Sequence, residues 1–255
     1  MGRLGNLAVD FFFYAVLALG FLVWVPFKLN KKLREIFFAR VALPAGHYLL
    51  RDRMVGVRRQ ALSQLNDLVS HDDTLKKEGS IRVLEIGAGS GDNFEHMKRK
   101  VKYWNLDPNA EFGERFRKNL KKNPNVEMER WIHANAEDMR GVPDGHFDVV
   151  LFSYVLCSVS EVGKVLAECK RVLSKGGRLV FVEHVAHPEG SWGLAVQRLF
   201  DPLWTCYCCG CHVTRNTALV LKNAGFKQVE LKELFLPIPT IVSPHLYGFA
   251  VADTK

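Results

Sequence analysis

Apolar residues fall along this chain in distinct regimes. Residues 11–27 run for seventeen positions without a charge, near the short end of the roughly 17–25 residues with which a helix crosses a bilayer. Over residues 40–68 the apolar positions recur at helical spacing and predict one or two amphipathic helices. The polar stretch 70–79 reads as a linker. Beyond it, short β-branched and aromatic runs alternate with helical patterns. The predicted strands are 81–86, 102–106, 126–133, 147–152, 178–184, 228–236 and 246–252, and the predicted helices 93–98, 112–119, 162–173, 194–199 and 215–224. Such alternation implies an α/β fold with a doubly wound, mostly parallel sheet. The last two strands are joined by a loop rather than a helix.

Composition sharpens this reading. A 255-residue chain that is 48% hydrophobic buries a sizeable core, which excludes a disordered protein. The net charge of +8 would suit nucleic acid, but the basic residues gather directly behind the apolar block. Lys28, Lys31, Lys32, Arg34, Arg40, Arg51, Arg53, Arg58 and Arg59 face only Glu35 and Asp52 there. That placement fits anionic lipid better than nucleic acid. Three regions follow: a hydrophobic membrane anchor (1–28), a basic amphipathic helical region with linker (29–79), and an α/β domain (80–255) on the cytosolic side. Spanning and insertion into one leaflet with a kink at Pro26 both stay open. A cleaved secretory signal is disfavoured, because little charge precedes the apolar run and no small-x-small site follows Phe27. Cysteine usage agrees with a cytosolic face: all six cysteines lie beyond residue 150, and Cys206, Cys208, Cys209 and Cys211 are clustered, unlike a disulfide scaffold.

The strand 81–86 ends in Gly87-Ala88-Gly89-Ser90-Gly91. Glycines there allow positive φ and a close backbone approach to a ligand, while a following helix would offer free amides. The sixth position counted from Gly87 is Asp92, so the Gly-x-Gly-x-x-Gly turn of dinucleotide-binding proteins is not reproduced. The next strand ends in Asp107, at the offset where a carboxylate grips ribose hydroxyls. A strand-end aspartate opening a turn with Pro108 is the plainer alternative. Together these strings resemble class I S-adenosylmethionine (SAM) methyltransferases. That resemblance implies a Rossmann-like seven-stranded sheet with an antiparallel last strand, and SAM as cofactor. It places Glu85 near the methionine amine, Gly87, Ala88, Gly89 and Gly91 around the cofactor, and Asp107, Pro108 and Asn109 at the ribose. Asp138, or Glu137, would take the adenine amino group with Met139 on the ring, and Ser153 would end the strand beside the methyl group. A helix cap remains the alternative for Asp138.

Later strings narrow the resemblance. Leu156-Cys157-Ser158-Val159, Glu183-His184-Val185-Ala186, Asp201-Pro202-x-Trp204, Thr214-Arg215 and Pro244-His245-x-Tyr247-Gly248 resemble the methyltransferase-like protein 7 family over essentially the whole chain. The resemblance implies a membrane-anchored thiol S-methyltransferase of endoplasmic reticulum and lipid droplets, acting on small lipophilic thiols and admitting hydrogen sulfide; a monomer is expected. Methyl transfer is an in-line displacement that needs near-attack geometry. A thiol of ordinary pKa is mostly protonated at neutral pH, so His184, at a strand end, is the first candidate to favour the thiolate. Glu183, Arg215 and His245 are weaker candidates, and a structural role for His184 stays open, as does catalysis without a dedicated base. An O- or N-methyltransferase of lipophilic acceptors, or a non-catalytic membrane scaffold, are the competing functions. No metal site is expected: no distant pair completes the Cys206–Cys211 cluster, whose cysteines read as small packing residues.

Overall fold

The computed structural model describes residues 10–11, 14–15, 19–20 and 24–252. Seven strands carry the core: β1 (Ile81–Ile86), β2 (Val101–Leu106), β3 (Val126–Ile132), β4 (Phe147–Ser153), β5 (Leu173–His184), β6 (Gln228–Phe235) and β7 (Pro244–Val251). Their spatial order is β3-β2-β1-β4-β5-β7-β6. The first five are parallel, and β7 runs antiparallel between β5 and β6. The expected sheet is therefore present. Central β4 is buried along nearly its whole length while edge strand β6 alternates, which is why one reads as a continuous apolar run and the other as a period of two. The order reverses between β1 and β4, and the carboxyl ends of these strands flank the crevice where such sheets bind ligands.

From Trp24 onward eight α-helices are described: α1 (Trp24–Leu29), α2 (Lys31–Phe37), α3 (Leu43–Leu62), α4 (Asp73–Glu78), α5 (Gly113–Lys121), α6 (Val162–Val172), α7 (Trp192–Tyr207) and α8 (Thr217–Lys222). On one face of the sheet, Val165, Leu166 and Cys169 of α6 and Leu221 of α8 share a core with Leu84, Ile86, Phe152 and Phe181. On the other, Val57, Ala61 and Leu62 of α3 and Phe116 of α5 meet Ile81, Val83, Tyr103 and Val180. The N-terminal basic region is thus an integral layer of the fold, and α3 covers the sheet on the face shared with the glycine turn.

Several local expectations are corrected. The helix expected over 93–98 is only a 3-10 turn, Phe94–His96, because Asn93 is drawn inward to Glu85 and the Phe94 ring fills the space beside Gly91. The linker 70–79 contains α4, whose start is capped by Asp72 accepting from the amides of Thr74 and Leu75 and whose end turns at Gly79 with φ 67°. Ser70 and His71 fasten it to Asp148 of β4. The helix expected over 194–199 runs on through Pro202 as α7. The one expected over 215–224 is shortened to α8, since Arg215 is drawn to the carbonyls of Leu156 and Val159 and Asn216 caps the helix.

The expected anchor, 1–28, lies largely outside the described residues. Those that are described there are helical, and no described helix is long and apolar enough to cross a membrane. They contact the body of the protein. The Asp10 carboxylate accepts from the Thr240 amide and hydroxyl at 2.9 and 2.8 Å, the Tyr14 ring stacks on Phe200 at 5.1 Å, and the Tyr207 hydroxyl donates to the Gly20 carbonyl at 2.5 Å.

Candidate active site

The glycine turn after β1 adopts the left-handed region at Gly87 (φ 65°), Gly89 (φ 54°) and Gly91 (φ 77°). A Cβ at Gly91 would lie 2.4 Å from the Phe94 ring, and one at Gly87 would lie 2.7 Å from Val155. Gly87 and Gly91 are therefore needed for packing as well as for backbone conformation, and Gly89 for its backbone conformation. Asp107 directly follows β2 with its carboxylate against this turn: Oδ2 accepts from the Gly89 amide at 3.0 Å and Oδ1 from the Asn109 amide at 2.8 Å. Burial raises the Asp107 pKa, and the two amides only partly oppose it. Each oxygen keeps a further lone pair for a ribose hydroxyl. Ala88 is buried, and Pro108 is exposed. Asn109 caps the turn Ala110–Phe112 and donates to the Glu35 carbonyl, which links the ribose-side loop to α2.

Glu85 lies fully buried on the same face. Its oxygens accept from Asn93 Nδ2 at 2.7 Å and from the Tyr103 hydroxyl at 2.6 Å. Burial pushes its carboxyl up to about 7, with the two hydrogen bonds opposing. Asn93 Nδ2 also donates to Ser153 Oγ at 3.0 Å, while Arg58 of α3 donates to Asn93 Oδ1 at 3.1 Å and stands over the Tyr154 ring. Arg58 and Asn93 are functional candidates that sequence reasoning missed. Arg58 falls in the basic cluster whose placement suits lipid, although it adjoins Val57 and lies one turn before Ala61 and Leu62, on the buried stripe of α3; that spacing is the available signal.

The expected adenine loop is less convergent. Glu137 accepts from the amides of Ser160 and Glu161, and Asp138 is exposed and bound to Arg140. Met139 lies in the core with Leu84, Trp104 and Phe147. Asp107, Glu85, Ser153 and the glycine turn are brought together by direct or shared contacts; the side chains of Glu137, Asp138 and Met139 are engaged elsewhere.

Beyond the end of β4, at the carboxyl end of β5 and the start of β7, a second group of side chains gathers. His184 pairs with His245 across the β5–β7 register, and both rings contact Tyr154, at 5.9 and 5.6 Å between centroids. His184 Nε2 lies 3.0 Å from Cys211 Sγ, to which Trp204 Nε1 donates at 3.1 Å. Cys157 completes a buried trio whose ligand atoms lie within 4.8 Å of one another. Burial depresses the basicity of His184, but Cys157 and Glu183 outweigh it and leave the imidazole more basic than usual. Burial, with the charge of His184, pushes His245 down to about 3. Glu183 Oε1 accepts from the amides of Val155 and Leu156, fixing the loop that carries Cys157, and burial raises its carboxyl to about 7. Arg215 braces the same loop through backbone carbonyls. The sequence cluster of cysteines is therefore divided. Cys211 joins Cys157 and His184, whereas Cys209 donates to the Arg34 carbonyl.

Comparison with known proteins agrees with this arrangement. Residues 84–181 match a family model described as a methyltransferase domain. A SAM-dependent methyltransferase structure from Thermotoga maritima superposes with a TM-score of 0.59, covering 86% of this chain and 98% of that one at 18% identity, which supports the fold. Thiol S-methyltransferase TMT1B of Homo sapiens is 38% identical over 200 residues, covering 78% of this chain and 80% of that protein. Human thiol S-methyltransferase TMT1A is 33% identical over 204 residues, covering 80% and 81%. With the cofactor turn, the seven-stranded sheet and similarity of this extent, the chain belongs to the methyltransferase family that includes TMT1A and TMT1B.

Proposed function

We propose that this protein transfers the sulfonium methyl group of SAM to the sulfur of small, lipophilic thiols. The observation that carries the reading is the similarity to TMT1B, which spans most of both chains. The residues fit SAM: Asp107 retains acceptor capacity for ribose hydroxyls, and Glu85 offers a carboxylate near the methionine end. Asn93 and Ser153 tie that end to the tip of β4, from which Tyr154 leads to the second group. Bound SAM supplies an electrophilic methyl on a sulfonium with a good leaving group. The chain's part is to align an attacking sulfur with it and to exclude water. His184 Nδ1, His245 Nε2 and Glu183 Oε2 are buried there without a hydrogen-bond partner among the described residues, so the acceptor edge has unspent polar capacity.

The test offers matched alkyl thiol, alcohol and amine acceptors with labelled SAM to the detergent-solubilised protein and identifies products by mass. Methyl thioether from the thiol alone, lost in Asp107→Ala, is expected. Methylation of the alcohol or amine in preference to the thiol would overturn the acceptor assignment.

The same proposal includes attachment of the N-terminal segment to the cytosolic face of endoplasmic reticulum membranes and lipid droplets. In its support, Phe11, Ala15 and Leu19 are exposed at one-turn spacing, whereas Asp10, Tyr14 and Gly20 are half-buried against the protein. A helix with one docked face and one exposed apolar face suits insertion into a single leaflet, and the basic residues that follow suit anionic headgroups.

A further inference from the structure

We propose that Cys157, His184 and Cys211 form a three-ligand site for a thiophilic divalent cation, zinc in the first instance, whose fourth position takes the sulfur of the acceptor thiol. This rests on the thiol reading above and gives that site its chemistry. Two sulfurs and one imidazole nitrogen are the donor set that zinc favours, and three protein ligands with one open position are the pattern of a catalytic zinc site rather than a structural one.

Geometry supports the assignment. The three ligand atoms lie within 4.8 Å of one another, with His184 Nε2 and Cys211 Sγ at 3.0 Å. Tetrahedral zinc bonds of about 2.0–2.3 Å separate neighbouring ligand atoms by roughly 3.5–3.8 Å. The trio therefore needs displacements of only about half an ångström to a full ångström, within the reach of side-chain rotation. The ligands come from three parts of the fold, and backbone contacts hold those parts together. The Cys157 carbonyl accepts from the His212 amide at 2.9 Å. His184 is fixed in the β5–β7 ladder. Asp201 binds the Val213 amide at 2.9 Å beside Cys211. The Trp204 N–H on the Cys211 sulfur is the kind of outer contact that orients and tunes a metal thiolate.

Position supplies the link to methyl transfer. The loop bearing Cys157 packs on the cofactor turn, since a Cβ at Gly87 would meet Val155 at 2.7 Å. An acceptor thiol entering the open position would bind as its thiolate and release its proton to solvent, as metal-coordinated thiols do. Its sulfur would then form the new S–CH3 bond while the bond from that methyl to the sulfonium breaks. The bonding pair stays on the departing sulfur and leaves S-adenosylhomocysteine. The neutral methyl thioether, a weaker ligand than the thiolate, would then dissociate from the cation.

The experiment uses the full-length, detergent-solubilised protein. It is exposed to zinc, freed of excess on a chelating resin and analysed for metal per chain; a parallel sample loaded with cobalt(II) is titrated with butanethiol and followed by absorbance. One zinc per chain is expected, lost in Cys157→Ser, His184→Ala and Cys211→Ser, and kept when Cys208 and Cys209 are both replaced by Ser. Trp204→Phe should weaken zinc binding on the order of 10-fold. Calorimetric SAM binding by the Cys211→Ser protein reports an intact fold. The cobalt spectrum should change with butanethiol. Wild-type protein that retains no zinc, or equal loss in the Cys208/Cys209 double variant, overturns the site, and a cobalt spectrum indifferent to butanethiol overturns its role. Undiminished thiol methylation by stripped protein would likewise overturn the proposal while leaving the thiol reading intact. Bound zinc and a butanethiol-sensitive spectrum without methylation of any thiol would overturn the thiol reading instead.

Discussion

Asp107 combines two duties in one carboxylate. It fixes the glycine turn through the Gly89 amide and its own turn through the Asn109 amide, and each oxygen keeps a lone pair with which it could accept from a ribose hydroxyl. Replacing it with Ala should weaken SAM binding by roughly 10-fold or more, the scale of a lost hydrogen bond to a charged group; unchanged affinity by calorimetry would remove it from the site. Glu85 makes a different kind of prediction. Its carboxyl is raised by burial to about 7 from an ordinary 4.5, so between those values the folded protein holds a proton that the unfolded chain has released. Stability is therefore greatest below the unfolded value and declines as pH rises through about 7. Melting of the ligand-free protein from pH 4.5 to 8 should show that decline, and Glu85→Gln should reduce the slope. It should not abolish it, since Glu183 is raised to about 7 for the same reason. A slope identical in the variant would contradict the buried-carboxyl account. The placement of Asp107 and Glu85 beside the glycine turn was legible because each lies at the end of a strand next to a recognisable turn. The pairing of Arg58 with Asn93, and the joining of Cys157 and Cys211 to the sequence candidate His184, were not, because these partners lie far apart in sequence and only tertiary packing unites them.

At the level of elements, the strands were legible to within a few residues over most of the sheet, since buried parallel strands leave continuous apolar runs. Helix ends were harder. Pro202 removes one backbone donor, yet α7 continues past it, anchored upstream by Gln197, which bonds the carbonyls of Val185 and Ile241 and the His187 amide. Those tertiary bonds have no local signature. Glycines provide a test of how closely the elements fit. In β7, a Cβ at Gly248 would lie 2.0 Å from the Glu230 carbonyl oxygen and 2.8 Å from the Leu231 Cα, so Gly248→Ala must push β6 away. A loss on the order of 3 kcal/mol is expected, read as a fall of several degrees in melting temperature. At Gly163, inside α6, a Cβ would meet nothing within 4 Å, and the backbone is that of an ordinary helix. Gly163→Ala should leave melting unchanged or raise it, by up to about 1 kcal/mol. If both variants behaved alike, close strand approach would not be what requires Gly248.

For the whole molecule, the open question in the sequence was how the apolar N-terminus relates to the catalytic domain. Pattern alone separated 1–28 from the rest, because an uncharged run followed by basic residues looks the same whether it crosses a bilayer or lies on a protein. The described contacts through Asp10, Tyr14 and Gly20 join it to α7 and to the turn at Thr240, while Phe11 and Leu19 remain 79% and 64% exposed. Under the proposed membrane attachment, the two faces would separate the two roles. Removing residues 1–28 should release the protein from membranes in a carbonate wash and also lower its melting temperature, because Phe200 and Tyr207 lose their cover. Asp10→Ala should lower melting alone, by about 1–3 kcal/mol for two charge-assisted hydrogen bonds, with membrane association intact. Charged residues placed at both Phe11 and Leu19 should do the opposite, abolishing membrane association at nearly unchanged melting. If the truncated protein stayed in the membrane fraction, the exposed Tyr48, Leu49, Trp192 and Leu199 would become the contact surface, and the segment's role would reduce to covering α7.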